Sequence, residues 1–174
     1  LDNYQRLLGD ERFGGSIINT LYYTAVSVPL TMVLGLLIAL LLNNQIRARG
    51  LFRTLFYLPV VTPLVIAAII WKWLYNGEFG LLNYYLLQFG IIKEPLLWLS
   101  DPNLAMPAVI ITSIWKGVGF TMVVYLAGLQ SIPEDYYDAA KIDGAVGWQR
   151  LKDITIPLLN STTLFLAVVS VLGA

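Results

Sequence analysis

Charged residues fall at wide intervals along this chain, and the apolar runs between them set its reading. From Phe13 to Ile46 no side chain carries a charge. About 20 helical residues cross the hydrocarbon core of a bilayer, so one tilted span with interfacial ends fits there. It is placed near 17–42. Gly35 and Ala39 form a small-xxx-small pair within it, which either packs closely on another helix or arises by chance in a Leu/Ala/Gly-rich run. A second uncharged run extends from Thr54 to Trp71, between Arg53 and Lys72. It contains Pro59 and Pro63, so a neighbouring helix or water must satisfy the carbonyls they free. Trp71, Trp73 and Tyr75 crowd its end in the manner of an interfacial aromatic belt. A third span lies between Asp101 and Glu134, interrupted only by Lys116, and a fourth begins at Pro157 and stays uncharged to Ala174.

This pattern predicts an all-α, polytopic transmembrane helical bundle with about four spans, a single domain over 1–174. No helix-stop signal follows the last run, and residues 1–15 lack the basic and apolar regions of a signal peptide. The sequence therefore reads as partial, with a further span expected upstream.

Composition agrees with the spans. The 174 residues are 57% hydrophobic and 13% charged, with a mean hydropathy of +0.70. Soluble domains run about 45–50% apolar and about 25% charged. The net charge of zero argues against a nucleic-acid partner. The chain has no cysteine and no histidine, which removes thiol nucleophiles, disulfides, imidazole bases and nearly all zinc sites. An intramembrane enzyme would then need paired carboxylates inside the spans, and every Asp and Glu falls outside them. A transport protein or a structural membrane protein remains. No metal or cofactor site is expected.

Basic residues orient the loops. Arg47, Arg49 and Arg53 lie in 43–53, and Lys141, Arg150 and Lys152 lie in 131–156; the opposite side holds Arg6, Arg12 and Lys93. Cytoplasmic loops carry the excess of Lys and Arg, so 43–53 and 131–156 are expected in the cytoplasm and 76–103 outside.

The most informative segment is 130–157, QSIPEDYYDAAKIDGAVGWQRLKDITIP. Ser131 with Glu134 three residues on has capping-box spacing, and Pro133 suits a first turn, which predicts a short helix over 132–142. Gly144 can adopt the left-handed conformation that ends it. A second short helix near 146–153 then leads into the span at Pro157. Two short helices joined at a glycine form a compact knob. Ala139, Ala140 and Ala145 keep its surface small enough for a partner's groove. Composition alone favours an ordinary amphipathic connector with a capping glycine.

The spacing carries a resemblance. Asp138-Ala139-Ala140, Gly144, Ile154 and Pro157 resemble the EAA loop of ABC-importer permeases, step for step. Asp138 stands where the family has Glu, and Ile156 where it has Leu. NTLYYT at 19–24, FRTLFYLPVVTP at 52–63, WKWLYNGEFGLLN at 71–83 and YLAGLQSIP at 125–133 are similar to the carbohydrate branch, the maltose and glycerol-phosphate type. The resemblance implies a permease subunit of an importer in a bacterial-type inner membrane, moving a sugar or related polyol. Amino acids or polyamines are the other solutes such permeases carry. It further implies a second permease subunit, two cytoplasmic ATPase subunits and an extracytoplasmic solute-binding protein as partners. It assigns ATPase coupling to Asp138, Ala139, Ala140, Asp143, Gly144, Ala145, Ile154 and Pro157. The chain has no GxxxxGK[ST] loop, so ATP hydrolysis is expected from a separate subunit.

Lys116 is the remaining signal. From a helix start near Leu104 it lies about 18 Å along the axis, near mid-bilayer, where an ammonium costs about 2.5–3.5 kcal/mol. Ser113, Lys116, Gly117 and Phe120 share one helical face. The resemblance implies that Ser113, Gly117 and Phe120 line the solute pathway, with Ser170 on the following helix. Lys116 either faces that pathway or snorkels outward from a helix beginning at Pro107.

Overall fold

A computed structural model describes residues 10–44 and 47–174, and these are helical with short connections. Arg6 and two residues of the 43–53 loop, Gln45 and Ile46, lie outside the described residues. The long elements are α1 (Glu11–Asn43) and α5 (Pro102–Gln130), the two helices long and apolar enough to span a bilayer unaided. Two broken pairs raise the spans to as many as four: α2 (Arg49–Val61) with α3 (Leu64–Leu74), and the stretch Gly147–Leu158 with α9 (Asn160–Leu172). The remaining elements are α4 (Leu81–Gln88), α6 (Glu134–Ile142) and the pieces of the second broken pair, α7 (Gly147–Arg150), a wide π turn (Leu151–Thr155) and α8 (Ile156–Leu158).

The chain divides into two compact units. One comprises 10–27, 62–115 and 174 among the described residues; the other comprises 28–61 and 116–173. The second unit has a core of Ala39, Leu42, Met122, Tyr125, Leu126, Leu129, Leu159 and Leu166. Its helices meet at small residues. A Cβ on Gly35 would lie 2.6 Å from Thr121 Cγ2, and Ala39 beside it is fully buried, so this pair is a packing surface. A Cβ on Gly119 would fall 2.0 Å from the Phe56 carbonyl oxygen, so α2 and α5 touch backbone to backbone there. Gly128 admits Leu159 and Thr162 in the same way.

The first unit is built on aromatic rings. Trp71 packs on Tyr75 (5.2 Å between centroids) and on Trp115 (5.6 Å), and Tyr75 packs on Trp98 (5.6 Å). Tyr75 is buried, and its hydroxyl donates to the Ala108 carbonyl at 2.9 Å. This corrects the expected interfacial belt: Tyr75 is buried, Trp71 half-buried, and only Trp73 of the three is exposed. The cause is the spacing of Trp71 and Tyr75 by one helical turn, which gives both the inner face.

Helix ends also depart from expectation. Asp101 caps α5, its carboxylate accepting the Asn103 N–H at 2.8 Å. The helix accordingly starts at Pro102, before either predicted start. The Ser131–Glu134 capping box does not form. The Ser131 hydroxyl instead donates to the Gly128 carbonyl at 2.8 Å, closing the end of α5, and α6 starts after Pro133 with no side-chain cap.

Candidate functional site

Between Gln130 and Asn160 the backbone turns twice. At the end of α6 the Ala145 N–H reaches the Ala140 carbonyl (2.9 Å) and the Gly144 N–H the Lys141 carbonyl (3.2 Å). This is the Schellman pattern, and it needs a left-handed residue at its centre. Gly144 has φ +76°, as the sequence predicts. Val146 then caps α7, its N–H held by the Gln149 side chain at 3.2 Å. The expected second helix over 146–153 is longer and wider. It starts at Gly147, loosens into the π turn at Leu151–Thr155, ends at Leu158, and α9 leaves at 63°. Pro157 contributes to the widening, since it has no N–H for the carbonyl four residues before it.

The side chains of this knob sort into two sets. Asp138, Ala139, Asp143 and Gly144 are exposed, Asp138 paired with Lys141 at 2.7 Å. Ala140 is buried against the knob's base; Ala145 and Ile154 are half-buried and Pro157 exposed. Large apolar side chains stand out beside them, notably Ile142 at 87% exposure, Trp148 at 70%, Val146 and Tyr136. Ala139 and Gly144 therefore leave a low surface flanked by protruding apolar groups.

On α5, Ser113 is half-buried, and its hydroxyl accepts from Tyr23 at 2.8 Å. Tyr23 also lines an open cleft with Asn19, Thr20, Met106 and Val109. Gly117 has room, since a Cβ there would meet Thr31 Cγ2 only at 3.4 Å. Phe120 is exposed and Ser170 half-buried. The Lys116 ammonium donates to the Pro59 carbonyl at 3.3 Å. Among the described residues, no group of acidic side chains could hold a metal ion.

With this geometry in hand, the comparisons with known proteins are specific. Residues 31–174 match the family described as binding-protein-dependent transport system inner membrane component. The chain belongs to that family. The lactose transport system permease protein LacF of Rhizobium radiobacter is 41% identical over 98% of this chain and 57% of its own length. The trehalose/maltose transport system permease protein MalF of Thermococcus litoralis is also 41% identical, over 92% of this chain and 54% of its own. The sn-glycerol-3-phosphate transport system permease protein UgpA of Agrobacterium fabrum is 35% identical over all of it and 58% of its own. Among solved structures, a bacterial ABC transporter importing the acidic polysaccharide alginate superposes with a TM-score of 0.88 at 31% identity, over 98% of this chain and 59% of that one. The same kind of transporter has been solved with an alginate pentasaccharide-bound periplasmic protein (TM-score 0.87). The chain spans a little over half the length of the relatives it matches.

Sequence reasoning passed over three features of this membrane component. Tyr23 reaches Ser113 from another helix, and no local pattern announces that pair. Tyr137 and Thr155 bond through their hydroxyls at 3.1 Å, and Thr155 also donates to the Arg150 carbonyl at 3.3 Å, joining α6 to the wide turn. Asn83, 2% exposed, accepts from the Leu96 N–H and the Trp98 indole N–H (3.2 and 2.9 Å) and donates to the Leu96 and Gly77 carbonyls (2.9 and 3.2 Å). The GEFGLLN run containing Asn83 entered only as similarity to a family; a buried amide between two loop turns has no signature in one sequence.

Proposed function

We propose that this chain is a permease subunit of an ATP-driven, binding-protein-dependent importer, moving a sugar or related polyol inward across a bacterial-type inner membrane. The observation that carries the reading is the 138–157 loop, whose family spacing coincides with a glycine-hinged knob presenting exposed apolar side chains. Asp138, Ala139, Asp143 and Gly144 form the surface that docks on a cytoplasmic ATPase, Ala140 and Ala145 pack beneath it, and Ile154 and Pro157 tie it to the next span. In this reading ATP hydrolysis belongs to two separate subunits, a second permease completes the pathway, and an extracytoplasmic binding protein delivers the solute. The sugar branch is supported by relatives named for lactose, trehalose/maltose and glycerol phosphate transport. The pathway face consists of Ser113, Gly117 and Phe120 on α5 with Ser170 on α9, supplying hydroxyls, room and a stacking ring. Loops 43–53 and 131–156 are cytoplasmic.

The test is uptake by the complete assembly in liposomes, with labelled disaccharides, polyols, amino acids and polyamines offered in turn. ATP-dependent accumulation of a carbohydrate, reduced in Phe120→Ala, is the expected result. Accumulation of an amino acid or polyamine alone would move the chain to another branch, and absence of any ATP-dependent uptake would remove the transport reading.

A further inference from the structure

Pro63 has no N–H, so it cannot close a helical bond onto the carbonyl of Pro59, four residues earlier. α2 ends at Val61 as a result, and the Pro59 carbonyl loses that helical donor at the negative end of the helix dipole. An apolar interior leaves such a carbonyl costly. Lys116 lies fourteen residues from either end of α5, and its ammonium donates to the Pro59 carbonyl at 3.3 Å. One turn further along α5, Gly119 rests on the Phe56 carbonyl, the corresponding turn back along α2. Two contacts three residues apart on each helix thus align: a cation on one exposed carbonyl, and a glycine admitting the other backbone.

We infer that Lys116 is a positioning residue that holds the carbonyl end of α2 against α5, rather than a donor to the transported solute. The bond accounts for both anomalies of the sequence together. A charge at mid-span finds the partial negative charge of a helix terminus, and a proline-ended helix finds the donor its own backbone lacks. Gly119 is the second half of the device. A side chain at this position would separate the helices and take the ammonium out of reach.

The experiment combines hydrogen exchange with uptake, in the assembled transporter. In Lys116→Met, amides of the last turn of α2, Leu58, Val60 and Val61, are expected to exchange about ten-fold faster or more, the size of effect that losing a bond from a charged donor produces. Uptake falls in maximal rate while the solute concentration at half-maximal rate stays within about two-fold. Lys116→Arg, whose guanidinium reaches the same carbonyl, restores both exchange and rate. The opposite pattern overturns the inference: unchanged exchange at 58–61 in Lys116→Met, or a loss of apparent affinity that Lys116→Arg does not repair. Should Lys116→Met fail to assemble, Lys116→Arg against Lys116→Gln at reduced temperature gives the same comparison. Exchange is read without any solute, so this inference can fail while the transport reading stands, and the reverse.

Discussion

Two of the segments that connect the spans of this protein are built on opposite plans. The segment from Asn76 to Asp101 is held from within. Asn83 is buried at its centre and binds Gly77, Leu96 and Trp98, while Asn76 turns the chain by accepting the N–H groups of Glu78 and Phe79. The segment from Ser131 to Leu158 is held by the Schellman turn at Gly144 and the Tyr137–Thr155 hydroxyl pair, and carries its large apolar side chains outward. A segment that satisfies its own polar groups needs no partner to keep its shape. One that leaves Ile142, Val146 and Trp148 exposed keeps its shape at a cost in surface energy, and in the proposed reading a partner's groove supplies the difference. In the proposed reading, the contrast separates a self-contained segment from a docking element.

Breaking the self-contained segment should have the largest effect on stability. Asn83→Leu strands the Leu96 N–H, the Leu96 carbonyl and the Trp98 indole in a buried site, and a loss of about 3 kcal/mol is expected, since each orphaned group costs about 1–3 kcal/mol. Thermal unfolding in detergent, followed by Trp98 fluorescence, checks it; an unchanged transition would mean that the segment is held by its apolar contacts alone.

The knob should behave in the reverse way. Gly144→Val forces a β-branched residue into the left-handed region at a cost of about 1–2 kcal/mol, confined to an exposed turn. The protein is expected to insert and fold, with solute-stimulated ATP hydrolysis and uptake both falling. Trp148→Ala relieves no strain, so it should lower ATPase affinity while leaving the unfolding temperature where it was. Normal coupling in both variants would make Gly144 a helix cap and nothing more.

The smallest effect is expected at the joint between knob and span. Tyr137→Phe removes one hydroxyl from the pair with Thr155, worth about 1 kcal/mol. The ratio of ATP hydrolysed to solute moved should rise modestly, and Thr155→Val should repeat it without adding to it in the double variant. Additive effects would show the two hydroxyls acting separately.

What the sequence discloses and what it hides follow from the range of the forces involved. Charge-free runs mark spans because a bilayer penalises each charge wherever its helix neighbours lie, so α1 and α5 were legible. Gly144 was legible because a left-handed residue is a local demand. The Pro59–Pro63 pair announced freed carbonyls, but which group answers them depends on how α5 crosses, and Lys116 lies 57 residues away. Asn83 looked like any loop asparagine because its partners come from two turns. Ser131 had the spacing of a cap, yet the end of α5 competed for its hydroxyl and won. The aromatic-belt pattern sent Trp71 and Tyr75 to the membrane surface; the ring contacts with Trp115 and Trp98 leave Trp71 half-buried and Tyr75 buried.

The wide turn at Leu151–Thr155 sets an angular register for everything after it. A turn closed over five residues instead of four takes up one residue more than an α-turn, and each helical residue advances the direction of its side chain by about 100°. The azimuth at which Ser170 leaves α9 is therefore fixed some fifteen residues upstream, at the foot of the knob. Were the turn to tighten to α geometry as the knob moves, Ser170 would swing by about that angle. A push received outside the bilayer would then be delivered inside it as a rotation rather than a displacement.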